Sequence, residues 1–168
     1  MNADDDAIRG SRATVRENFE KLVHSVFAGN AWHGASLFGT LRKLTLEQAL
    51  WENREGYSPW KIALHCAYWK HRARIRIVPT GRDGKKERFP RSPAEFPDLP
   101  EPPDLTAWKT DLALLQSTHE RLLEAVRAVP WYSLTTEEQS RYFREITGVA
   151  AHDAYHTGMI RNMGVPGL

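Results

Sequence analysis

Apolar residues recur at helical spacing in four separate segments of this 168-residue chain, and nowhere alternate at strand spacing between hairpin turns. The first segment runs from about Ala7 to Ala28, with Val15, Phe19, Leu22 and Val26 on one stripe. The second opens at Ser58-Pro59, a cap followed by a first-turn proline, and runs to Val78, where Pro79 stops it. Ile62, His65 and Trp69 share its inner face. The third runs from about Asp104 to just before Pro130, on the stripe Leu105, Trp108, Leu112, Leu115, His119, Leu122 and Val126. The fourth runs from Thr136 to Asn162, with Ile146, Val149, His152, His156 and Ile160 inward. Four such segments predict an all-α protein, a four-helix bundle.

The connections refine that expectation. A short turn around Val129 to Leu134 predicts that the third and fourth segments pack directly against each other, antiparallel. The first connection is long and holds a short helix from Thr45 to Trp51, with Thr45 as its cap. The second, from Pro79 to Pro103, carries seven of the ten prolines and cannot be helical. It reads as an extended loop strapped along the bundle. Both long connections can cross the bundle, so a simple up-down order is not required.

Composition narrows the class. With 41% hydrophobic and 26% charged residues, the chain is globular, and its length suits one domain over residues 1–168. The acidic start MNADDDAIRG is no signal peptide, and no apolar run reaches the roughly 20 residues of a membrane span. A single cysteine, Cys66, excludes an internal disulfide and fits a reducing, cytoplasmic setting. It reads as a small apolar residue, not a nucleophile. The net charge of +2 implies no nucleic-acid partner. Nine Lys or Arg lie between Lys70 and Arg91, with Asp83 and Glu87 the only acids. They read as a solvated helix end and loop, or as a basic patch near an anionic substrate. The tryptophans fall mostly on stripes or element ends and read as packing groups.

The chemistry lies in the stretch HDAYH, His152 to His156. Residues four apart on a helix are separated by about 40° and roughly 6 Å, and their side chains lean the same way. Two imidazoles so placed can converge on one divalent ion, or be two unrelated polar residues. Three observations favour the ion. The pair lies in the apolar stripe, where buried imidazoles need partners. His65 offers a third nitrogen from the inner face of another helix. Three neutral ligands leave coordination positions open, as reactive sites do. HDAYH is also close to the H-E-x-x-H of zinc peptidases, with Asp153 for the general-base glutamate. The twelve residues after His156 include no His, Cys, Asp or Glu to complete such a site. His119, on the third stripe, reads as a core histidine or a pocket-lining group. His24 and His71, off the stripes, read as solvated.

The stretches AWHGASLFGTLRKLTLEQA, YSPWKIALHCAYW and ITGVAAHDAYHTGMIRNM, with one histidine early in the second helix and a pair in the fourth, resemble the DinB-like (DinB/YfiT) superfamily of metal-dependent four-helix proteins. The resemblance implies a bundle with long crossover connections and a homodimer. It implies nickel or zinc on His65, His152 and His156. It also carries over Trp32, His33 and Gly34, which match a W-H-G stretch near the site. At Ala35 this chain departs from the proline common in that family. Members of known activity include transferases and isomerases that use low-molecular-weight thiols. The expected function is therefore a metal-dependent enzyme, of thiol-transferase or hydrolase type, activating water or such a thiol against a small-molecule substrate. His33 and Asp153 would orient groups or move protons. The alternative is a non-catalytic bundle that binds a metal or small ligand.

Overall fold

A computed structural model describes the backbone of residues 3–78 and 87–168, and the side chains of residues 14–78 and 87–168. Six helices follow in order: α1 Ala3–Phe27, α2 Leu37–Leu41, α3 Leu46–Leu50, α4 Pro59–Ile77, α5 Leu105–Ala128 and α6 Thr136–Asn162. The described residues contain no strand, only one isolated bridge between Ala31 and Gly34. Gly34 takes a φ of 111° there, which only glycine adopts without strain. Among the described residues no helix is long and apolar enough to cross a membrane.

Helix starts follow local chemistry. The Ser58 hydroxyl accepts from the Lys61 amide and the Asp104 carboxylate from the Ala107 amide. Thr45 with Gln48, and Thr135 with Glu138, close reciprocal capping boxes. These caps set the starts of α3 to α6 where the sequence places them.

The four long helices form a closed ring of contacts. α4 packs on α5 and α6, and α1 packs on the same two. The expectation that α5 and α6 pack directly is therefore corrected: they sit on a diagonal. The seven residues 129–135 between them explain how. Extended, they reach about 24 Å, against a diagonal of roughly 14 Å for helices 10 Å apart. Trp131 from this turn stacks on Phe19, at 5.2 Å between centroids, and pins the crossing.

Two apolar clusters fill the interior. One holds Phe27, Leu37, Leu41, Trp60, Ile62, Leu64, Trp108, Leu115 and Ile160. The other holds Val23, Val26, Ala73, Ile77, Leu122, Val126, Tyr142, Ile146 and Val149. Cys66 is buried in the first, as a small apolar residue should be. Between the clusters lies a polar layer: Lys70 and His71 from α4, Thr118 and His119 from α5, and Asp153, His156 and Thr157 from α6, all buried.

Several stripe assignments shift. On α1 the buried residues are Val23, Val26 and Phe27, while Val15 and Leu22 are 40% and 38% exposed. The core face thus runs Phe19, Val23, Val26, Phe27. Leu105, in the first turn of α5, is 48% exposed, because the stripe extends past the end of the packed region. Trp60 and Trp108 are core residues, but Trp32 is fully exposed.

Among the described residues the basic stretch does not form one surface. Lys70 is buried against Asp153, Arg74 pairs with Glu87, and Arg91 pairs with Asp111. His71 is not solvated: it is buried, its Nε2 3.2 Å from the Glu87 carbonyl. His24 is exposed as expected. Pro79, Arg82, Asp83, Lys85 and Lys86 lie outside the described residues.

Candidate metal centre

His65 stands in the second turn of α4, and His152 and His156 stand one turn apart on α6. Because α4 packs against α6, the three rings meet between the helices. His152 Nε2 lies 3.2 Å from His65 Nε2 and 3.2 Å from His156 Nε2. An ion held at about 2.0–2.1 Å by two imidazole nitrogens separates them by roughly 2.9–3.4 Å, from octahedral to tetrahedral angles. The spacing of these atoms falls in that range. His65 and His156 are buried, and His152 is half-buried.

All three rings are held neutral. Burial pushes His152 down to about 3, with His156 and His65 adding to it, and His156 down to about 4. His65 is lowered by burial against the opposing pull of its bond to the Glu95 carbonyl. Metal ligation needs this neutral form.

The proline-rich strap supplies the support around His65. Its Nδ1 donates to the Glu95 carbonyl at 2.8 Å. A carbonyl can only accept, so the proton sits on Nδ1 and the Nε2 lone pair faces the other histidines. Phe96, the next strap residue, stacks on the His65 ring at 4.1 Å and 14°. Two anchors hold the strap: Arg91 on Asp111, which also accepts from Trp60 Nε1 at 2.9 Å, and Glu87 on Arg74 and Arg121. The Nδ1 atoms of His152 and His156 are buried without a protein partner among the described residues. The donor set therefore fits a divalent ion through three Nε2 atoms, with an outer partner on one.

Asp153 is not one of the three converging ligands, although a carboxylate oxygen of it lies within 4.8 Å of a His152 ring nitrogen and of the Cys66 sulfur. It is wholly buried and accepts from the Lys70 ammonium. Its carboxyl is raised by burial, with Lys70 opposing. His33 lies exposed in the loop before α2, and no hydrogen bond or ring contact among the described residues ties it to the three histidines. His119 is a core residue: buried, stacked on Phe27 at 3.8 Å, and without a partner at either nitrogen among the described residues.

His65 and His152 open onto a cleft of about 810 Å³ between α4 and α6. Trp69, Ala73, Gly148 and Val149 line its middle, and Arg76, Arg141, Arg144 and Glu145 its far end. Sequence reasoning missed these arginines, although 141, 144, 148 and 152 fall on one face of a helix at spacings of three and four. It also missed Glu95 and Phe96, which carry no local signal because a loop's path over a bundle is set by distant anchors.

A family model described as the DinB superfamily matches residues 31–160, most of the chain and all three histidines. No curated protein and no solved structure matches it.

Proposed function

The chain belongs to the DinB superfamily, and from that premise we propose that it is a divalent-metal-dependent enzyme acting on a small molecule. His65, His152 and His156 would hold the ion through their Nε2 atoms; three imidazoles suit zinc, nickel, copper or iron, and the family resemblance favours nickel or zinc. The observation that carries this reading is the convergence of three neutral Nε2 atoms, that of His152 3.2 Å from each of the other two, at the end of an open cleft.

When bound, such an ion lowers the pKa of a water or thiol and so supplies a nucleophile at neutral pH. The chain's own residues prepare the place. Glu95 and Phe96 fix the His65 ring and its tautomer. Lys70 and Asp153 tie α4 to α6 beside His152, the ammonium engaging one carboxylate oxygen. That gives Asp153 a positioning role. The cleft favours an enzyme over a closed binding bundle, since substrate can reach His65 and His152 from it. His33 would take part only by moving over that cleft.

The test compares metal-loaded and metal-free protein in two assays, thiol transfer to a chromogenic electrophile and hydrolysis of activated esters. Metal-dependent turnover in either supports the proposal. A fully loaded protein with no rate above background in both would favour the ligand-binding alternative. The homodimer implied by the family is read separately, by sedimentation of the same sample.

A further inference from the structure

The cleft beside the histidines is polarised along its length. On α6, Arg141, Arg144, Glu145, Gly148, Val149 and His152 share one face; on α4, His65, Trp69, Ala73 and Arg76 do. His65 meets His152 at one end, and Arg76 meets Glu145, at 3.2 Å, toward the other. The helices therefore run antiparallel along a groove with histidines at one end and arginines at the other.

The arginine end carries surplus positive charge. Three arginines line it with Glu145, while Glu95 lines the cleft beside His65. Glu145 is divided between Arg76 at 3.2 Å and Arg144 at 3.7 Å. Arg141 lies over the Tyr142 ring, 4.7 Å from its centroid, and forms no ion pair among the described residues. Arg144 is 80% exposed. Two guanidinium groups are thus available to a ligand, and their fork geometry suits a carboxylate or phosphate.

The middle of the groove is apolar and open. Trp69 forms a wall, and Ala73 and Gly148 leave the floor low. A Cβ added at Gly148 would meet nothing within 4 Å. Eight residues of α6 separate Arg144 from His152, about 12 Å of helix rise.

Resting on the metal-centre reading above, we infer that the substrate is an elongated small molecule. Its carboxylate or phosphate is held by Arg141 and Arg144, its flat apolar middle lies against Trp69 over Gly148, and its reactive end reaches the three histidines. A bare inorganic anion is too short to bridge the two ends.

The test uses calorimetric titration of the untagged protein, zinc-loaded and metal-free, with 4-(mercaptomethyl)benzoate, its methyl ester, and the matching benzylic thiol bearing a phosphonate. Metal content is measured on every sample. In Arg141→Ala/Arg144→Ala, affinity for the carboxylate probe should fall about tenfold or more, while the ester changes less than about twofold. Gly148→Leu should weaken all three probes without changing metal content. A phosphonate preference would assign the anion site to phosphate-bearing substrates, and a carboxylate preference to acids. Equal losses for acid and ester in the arginine variant, or no loss for either, would overturn the inference. Failure of the parent reading looks different. The protein would hold no zinc, yet the metal-free chain would still bind the acid more tightly than the ester, in an arginine-dependent way.

Discussion

The Lys70 ammonium of α4 donates to the Asp153 carboxylate of α6, and neither side chain reaches solvent. Asp153 follows His152 in sequence, and the pair sits in the polar layer between the two apolar clusters. A buried pair costs more to break than it contributes.

Removing one partner should therefore be severe. Asp153→Asn leaves a buried ammonium without its counter-ion and should lose about 3–5 kcal/mol of unfolding free energy. The double variant Lys70→Met/Asp153→Leu removes both charges and should recover most of that loss. Urea unfolding of the three proteins checks it. A double variant no better than the single one would mean the pair is not isolated from other buried charge.

His119 makes stability depend on pH. Burial first, then Lys70 and His24, push its pKa down to about 2 in the folded chain. The unfolded chain protonates it near 6.5. Between these values the unfolded state binds more protons, so stability is intact above about pH 6.5 and falls as pH drops through that point. By pH 5 this residue should cost about 2 kcal/mol. His119→Phe keeps a ring stacked on Phe27 and removes the proton. Its stability relative to the parent should grow by about 2 kcal/mol between pH 7.5 and pH 5. A pH-independent difference would contradict the neutral, buried ring.

The strap should tune the metal centre from a distance. Arg91 touches none of the histidines but ties the strap to Asp111, a few residues before the Glu95 carbonyl and Phe96. Arg91→Ala should loosen the acceptor that orients His65 and weaken zinc affinity about tenfold or more. Competition with a chromophoric chelator reads this. Unaltered affinity would show that the strap covers the site without organising it.

Much of this was legible in the sequence. The caps Ser58 and Thr45 were readable because capping is local chemistry, whereas Asp104 and Thr135 emerge as caps only in the structure. The three histidines were legible too, because helical periodicity puts each on an inner stripe. The inner register of α1 was not. It carries apolar residues on adjacent stripes, and only the neighbours α5 and α6 select Val23 and Phe27 over Leu22. The burial of Lys70 and His71 was hidden for a similar reason. Their partners, Asp153 and Glu87, lie 83 and 16 residues away. The diagonal placement of α5 and α6 escaped because a short turn limits distance without choosing between neighbour and diagonal.

The most direct test of the central claim is the metal content of the untagged protein, measured by elemental mass spectrometry. The comparison is with the His65→Ala/His152→Ala/His156→Ala variant, its fold checked by circular dichroism. The three-histidine centre predicts about one divalent ion per chain, absent from the folded variant. An equal metal content in both proteins, or none in the native chain after reloading with zinc and with nickel, would contradict it.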